Sequence, residues 1–263
     1  MFDLEMKKAL ILSYYFPPVT GAASWRALSW AEHFKSFGIQ PTLVTRHWTG
    51  NEKKWEDFFK ASNFSPEHKV FDTYDIYILP SNNFLLQRWL FKAKRVDKLF
   101  HKLYYWMLLA AGHINIEVNA YKTFKQFLKN HLKKNEYDFI LITSPPNNIV
   151  RLINHIQARP NQKIVIDFRD IYNNASLREN YVPETGEKVS NFITRFYLKK
   201  WLKRADLIIT ASDAFSKAMS ELSEKMYLQF IMDLKASCLK TVIAIFQSNL
   251  ISVSLVIYTI FRT

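Results

Sequence analysis

"KKALILSYYFPPVTGAASWRALSWAEHFKSFGIQPTLVT", Lys7 to Thr45, is the stretch whose reading decides the fold. Its first ten residues form a short, nearly all-apolar run bounded by lysines and by Pro17-Pro18, the pattern of a parallel strand buried on both faces. Ala27, Leu28, Ala31, Phe34 and Phe37 then recur at helical spacing, with Ser24 in a position to cap the start and Gly38 to stop the helix. "QPTLVT" supplies a second strand. Strand, helix and strand in about 35 residues make a βαβ unit, whose crossover is right-handed.

The same rhythm returns further along. "YDFILITS" is a strand ending at Pro145-Pro146 and followed by the helical pattern "NNIVRLINHIQ". "QKIVIDF" is another strand, ending in Arg169-Asp170. A helix around Asn191 to Lys203 leads into strand "ADLIITAS", after which Ser212 or Asp213 caps a helix running to about Lys225. Alternating β and α elements predict an α/β fold with a doubly wound, mostly parallel sheet. Residues from about 50 to 118 read as a helical insertion: a polar excursion, a short strand "YDIYILP" and a basic-aromatic helical segment from Phe84 to Trp106. After it comes an amphipathic helix with Phe124, Phe127, Leu128 and Leu132 on one face.

Composition narrows the function classes. The 263 residues carry a net charge of +13 and are 49% hydrophobic, enough for a core and too apolar for a disordered chain. The basic excess is spread along the chain and suits a phosphorylated ligand or an anionic surface; no arginine-rich run or zinc-knuckle spacing points to nucleic acid. A single cysteine, Cys238, fits a reducing cytoplasm. "MFDLEMKK" is too acidic to open a secretory signal. From Thr241 to Phe261 there is no charge, about the length that spans a bilayer, yet Gln247, Ser248 and Asn249 sit in mid-span. A buried helix, a strand pair and a membrane span all remain open for it.

In an open parallel sheet, ligands gather beyond the carboxyl ends of the strands. Three loops there carry unusual chemistry. "PPVTGAA" offers Gly21, Ala22 and a helix N-terminus, which favours an anion, and Arg26 stands one turn inside that helix. Ser144 and Pro145 form a rigid corner. Asp167, Arg169 and Asp170 crowd two carboxylates and a guanidinium at a strand end, either as a self-satisfied ion pair or as ligand contacts. No G-x-G-x-x-G is present, and Thr45-Arg46 stand where a dinucleotide-binding strand would end in an acid. The seven histidines show no metal-ligand spacing.

Taken together, "KKALILSYYFPPVTGAASWRALSWAEHFKSFGIQPTLVT", "YDFILITSPPNN", "IVIDFRDIY" and "RADLIITASDAF" resemble the N-terminal Rossmann-like domain of family 4 glycosyltransferases with the two-domain GT-B fold. The resemblance covers roughly residues 7 to 222. It implies retaining transfer of a sugar from a nucleotide-sugar donor to a glycan or lipid-linked acceptor of the cell envelope or a polysaccharide. No metal or other cofactor is implied, and the setting is the cytoplasm, at or near the inner face of the membrane.

The resemblance assigns Asp167 and Asp170 to the catalytic side of the cleft. Gly21, Ala22, Arg26, Ser144, Pro145 and Arg169 fall to donor or acceptor binding. The family's loop often has two or more glycines where "TGAA" has one. The expected organisation is an acceptor-side domain over 1–225 and an atypical apolar tail over 226–263. The family's second domain, with its Glu-x7-Glu motif, has no counterpart after residue 225. Glu179 and Glu187 have that spacing, but Pro183 and Gly186 interrupt their helix. The chain therefore reads as a truncated or frame-shifted gene product, inactive alone. The alternative is a non-catalytic membrane-surface or binding module that uses the basic-aromatic segment and the tail for peripheral membrane contact.

Overall fold

The computed structural model describes residues 6–52, 57, 62, 64–81, 98–112, 118–169, 185–210, 215, 219, 222 and 227–229. They form one eight-stranded sheet in the order β3-β4-β2-β1-β5-β6-β7-β8. The strands are β1 (Lys7–Ser13), β2 (Ile39–Arg46), β3 (Glu67–Val70), β4 (Asp75–Leu79), β5 (Phe139–Ser144), β6 (Lys163–Phe168), β7 (Leu207–Thr210) and β8 (Tyr227–Gln229). All neighbours pair in parallel except β3, which lies antiparallel on β4. The expected α/β architecture with a doubly wound, mostly parallel sheet is what the chain adopts.

Alternate residues of each strand enter opposite cores, as the period of two demands. Ala9, Ile11, Leu43, Leu141 and Val165 face helix α1 (Ala22–His33), which buries Ala27, Trp30 and Ala31 against them, while Phe34 follows from a 3-10 turn over Phe34–Phe37. Leu10, Leu12, Ile140, Ile142 and Ile166 face the other way. They are covered by α3 (Val118–His131), by a 3-10 helix over Asn147–His155 and by α4 (Thr185–Leu202), while α2 (Lys98–Ala110) lies beside α4. Gly38 takes the left-handed conformation, φ 77°, and its N–H returns to Lys35 O, so the helix stops where its sequence says it should.

Four expectations need correction. Ser24 does not cap α1: the cap position is Gly21, which has no side chain to bond the first amides, and Ser24 is buried in the first turn. The segment after β5 is a 3-10 helix rather than an α-helix. Its buried Ile149, Val150, Leu152, Ile153 and the following Ile156 recur every three residues, and three residues per turn aligns them on one face. The helix expected from Asn191 begins at Thr185, and Gly186 lies inside it rather than breaking it. A Cβ there would meet Trp106 Cζ2 only at 4.0 Å, ordinary contact. Finally, β3 lies in the polar excursion; its residues are largely exposed and charged, suiting an edge and giving no apolar signal. Tyr227–Gln229, just beyond the expected boundary at 225, add a parallel strand to β7.

Asp170, Glu179, residues 82–97 of the basic-aromatic segment, most of the helix expected after Ser212 and residues 230–263 lie outside the described residues. Among the described residues no helix is long and apolar enough to cross a membrane.

A buried polar pair links α3 to the following turn. His131 Nε2 and Tyr137 Oη are 2.6 Å apart, and Asn135 Nδ2 donates to His131 O at 3.0 Å. Burial, reinforced by His68, holds the His131 imidazole below its usual 6.5, and burial pushes the Tyr137 phenol up to about 12. The neutral pair is therefore the folded one.

Two outcomes follow. Trp30→Ala empties the space between α1 and the sheet and costs about 3–5 kcal/mol in urea unfolding. Because the folded chain holds His131 below its unfolded value, the stability this residue contributes is present above about pH 6.5 and lost as pH falls. A His131→Gln chain shows a flatter decline in urea midpoint below that pH.

Candidate functional site

The order of the strands creates a crevice. From β1 the chain builds outward through β2 to β4, then returns to add β5, β6 and β7 on the other side of β1. The connections therefore diverge between β1 and β5, and loops leaving neighbouring carboxyl ends turn apart there. The loop after β1 ends at Gly21 and α1; the loop after β5 begins with Pro145.

Gly21 has φ 152°, and no atom lies within 4 Å of where its Cβ would be. A side chain is disfavoured by the backbone, not by crowding. Its carbonyl accepts from Trp25 N at 3.1 Å, closing the first helical turn. Gly21 and Ala22 are exposed, and among the described residues no side chain caps α1. Amides at the start of this 12-residue helix are thus available to an anion.

Arg26 and Asp167 lie 141 residues apart in sequence and meet beneath this corner. Arg26 Nη1 donates to Asp167 Oδ1 at 2.6 Å. Asp167 Oδ2 accepts from Thr143 Oγ1 at 3.0 Å, a cross-strand contact set by the pairing of Thr143 with Asp167. Asp167 has no exposed surface and Arg26 retains 10% of its side chain's. Burial pushes the Asp167 carboxyl up, opposed by the Arg26 guanidinium, the Thr143 hydroxyl and the Arg169 charge. Arg26 Nη2 is buried without a hydrogen-bond partner among the described residues.

The two sequence motifs are thereby brought together. Of the Asp167, Arg169 and Asp170 cluster, Asp167 and Arg169 are described, and the Arg169 charge acts on the Asp167 carboxyl. The Asp167 oxygens are committed to Arg26 and Thr143, so Asp167 acts by holding the guanidinium in place. Arg169 contributes a backbone N–H to Ser144 O at 3.3 Å, tying the end of β6 to the corner after β5. Ser144 is buried and its hydroxyl donates to Asn147 Oδ1 at 2.6 Å; Pro145 is half-buried beside it.

Sequence reasoning missed a second cluster on the β2 side. Arg46 Nη1 donates to Tyr14 Oη at 2.8 Å, its Nε donates to His47 O at 3.1 Å, and its guanidinium lies 3.9 Å from the Trp48 ring centroid. Trp48 Nε1 donates to Tyr14 O at 2.8 Å, and its ring stacks on Tyr15 with centroids 5.4 Å apart. Four residues clustered at adjacent strand ends were the available signal. Between this cluster and the β3–β4 pair lies a cavity of about 450 Å³, bounded by Phe16, Pro18, His47, Phe64 and Tyr74 among others. His47 stacks on Phe64 at 4.1 Å, and its Nδ1 is buried without a partner among the described residues.

Among the described residues no group of His, Cys, Asp and Glu is arranged to hold a metal ion. The geometry offers an anion corner over Gly21 and Arg26, and on the β2–β4 side an aromatic cavity whose lining also includes Thr45, Arg46, His47, Glu67 and Lys69.

No protein-family model matches the chain, and no curated protein matches it. Among solved structures it is similar to sucrose-phosphate synthase from Thermosynechococcus elongatus, at 12% identity and a TM-score of 0.50, over 85% of this chain and 47% of that one. A trehalose-6-phosphate structure from E. coli, bound with UDP-2-fluoro glucose, matches at 13% identity and a TM-score of 0.44, over 82% and 42% of the two chains. A UGT transferase from Siraitia grosvenorii in complex with UDP matches at 10% identity and 0.44, over 88% and 52%. The chain spans about half the length of these proteins. The first of these likenesses carries the fold: a Rossmann-like α/β domain.

The ion pair makes a direct prediction. Asp167→Asn strands a buried guanidinium and costs about 3–5 kcal/mol in urea unfolding, whereas the paired change Arg26→Met with Asp167→Leu recovers most of that loss. A double-mutant cycle over these chains measures the coupling.

Proposed function

We propose that the chain is the acceptor-side domain of a retaining glycosyltransferase of the GT-B type, of family 4. Its substrates are a nucleotide-sugar donor and a glycan or lipid-linked acceptor. The observation that carries this reading is Arg26: anchored on buried Asp167 through Nη1, one turn inside helix α1, with Nη2 unpartnered and the first amides of the helix uncapped among the described residues. A guanidinium fixed in this way is pre-organised for a phosphate oxygen, and charge-assisted bonds of that kind are the stronger ones. The structural neighbours named above are glycosyltransferases, two of them with UDP or a UDP-sugar bound, which supports the same reading.

In this reading the donor diphosphate lies over Gly21 and Ala22, where the helix dipole and amides meet its charge. Arg26 supplies the fixed cation and Asp167 positions it. The resemblance gives Asp170, next along the β6 exit, the acidic contact to the reacting sugar. The cavity beside Trp48 has the size of a small-molecule site, and its mixture of aromatic walls and the His47 nitrogen suits an acceptor presenting hydroxyls on an apolar face. No metal has a part in the scheme. Donor specificity and turnover need a second wall across the crevice, and the reading takes the described domain to be inactive by itself.

Arg26→Lys tests the central element while preserving the ion pair. A lysine still reaches Asp167 but has no second guanidinium nitrogen to offer. The substituted chain should keep its unfolding free energy within about 1 kcal/mol of the parent's, yet bind UDP-glucose or GDP-mannose about tenfold more weakly by NMR titration of the Gly21 and Ala22 amides. Unchanged affinity, or shifts that avoid these amides, would refute the assignment.

A further inference from the structure

One phenol gathers three basic groups on the face of the sheet covered by α3 and the 3-10 helix. Tyr121, in the first turn of α3, is buried in that core, and its ring meets two cations at once. The Arg151 guanidinium is 4.8 Å from the ring centroid and Lys125 Nζ is 5.8 Å from it. The Tyr121 hydroxyl lies 2.6 Å from His155 Nε2. Arg204, just past α4, is fixed beside the end of the 3-10 helix, where its Nη2 donates to Ile156 O at 2.8 Å. Lys129 stands one turn beyond Lys125 on α3, and its charge also reaches His155.

Nothing acidic balances this group among the described residues. Neither α3 nor the 3-10 helix contains an acid. The acids that flank these elements are engaged elsewhere: Glu136 with Arg159, Asp138 with the Lys8 amide, and Asp206 with Lys163 and the Ile164 amide. Lys125, Lys129, Arg151 and Arg204 make no salt bridge among the described residues. Arg151 Nη1 is buried there without a hydrogen-bond partner. Like charges brought this close repel, and an unpaired buried donor adds its own desolvation cost. Their field is felt at the imidazole: burial first, then Lys125, Lys129, Arg151 and Arg204, hold His155 below its usual 6.5. The cluster therefore combines fixed donors with uncompensated positive charge. A dianion with several acceptor oxygens answers both, whereas a carboxylate brings one charge to four cations.

We propose that Lys125, Lys129, Arg151, His155 and Arg204 frame a second anion site, for a phosphate group, with Tyr121 orienting Arg151 and His155. It lies on the opposite face of the sheet from α1 and is independent of the reading of the crevice. It is tested by titrating the full chain with inorganic phosphate and with glycerol phosphate at constant ionic strength, following histidine ring protons and backbone amides by NMR. Both ligands shift the His155 signals, and the ratio of their affinities tells a free anion from a phosphate ester. A bound dianion offsets the surrounding cations, so it also moves the His155 titration to higher pH. Lys125→Gln with Lys129→Gln weakens phosphate binding about tenfold with little change in the urea midpoint, since the two side chains are half-buried and exposed. Arg151→Lys keeps the charge, loses the planar fork and weakens binding by a similar factor. The proposal is overturned if neither ligand shifts the His155 signals, or if both variants bind phosphate like the parent. Shifts confined to the Gly21 and Ala22 amides overturn it as well, and leave the reading of the crevice standing.

Discussion

The buried contact between Arg26 and Asp167 ties together parts of the chain that otherwise belong to different halves of the sheet. Arg26 belongs to the first crossover, beside β1, and Asp167 to β6 on the far side of β5. Its 2.6 Å bond therefore bridges the strand-order reversal itself. Burying two opposite charges costs several kcal/mol each in desolvation, and removing either partner leaves the other exposed to that cost alone. Such a pair contributes little net stability compared with apolar residues of the same volume. What it does contribute is position: the orientation of α1 relative to β5 and β6, and with it the direction in which Gly21 and Ala22 present their amides.

Hydrophobic pattern made the sheet legible because its strands are buried on both faces. "ALIL", "FILIT", "IVID" and "LIIT" are apolar but for Thr143, Asp167 and Thr210 at their carboxyl ends, and each pairs as its apolar run suggests. The elements that escaped had weak or misleading patterns. Strand β3 is polar because an exposed antiparallel edge should be, and no periodicity distinguishes it from a loop. The 3-10 helix after β5 carries Ile149, Leu152, Ile153 and Ile156 at i, i+3, i+4 and i+7, a spacing that suits an α-helix equally well.

Strand-end position places Gly21, Arg26, Ser144 and Asp167 near one edge of the sheet, and that much is legible from the order of apolar runs and loops. Which side chains meet is not legible, because the fold supplies Asp167 with a partner 141 residues away. Local sequence cannot distinguish a carboxylate that faces solvent from one turned toward a helix, because that depends on which face of β6 meets α1. Asp167 alternates with Ile166 and Phe168, so it falls on the α1 face. The Tyr14, Tyr15, Arg46 and Trp48 cluster was hidden for a related reason: it forms only when the exits of β1 and β2 lie side by side.

That cluster bears on how the crevice can move. Tyr14 engages Arg46 through its hydroxyl and Trp48 through its carbonyl, while Tyr15 lies against the indole. The first residues after β1 are thus keyed to the β2 exit by hydrogen bonds, stacking and a cation over a ring at once. Bending this side would break all three together, so it behaves as a fixed jaw. A ligand entering the crevice would therefore meet, on this side, a wall whose shape is already set.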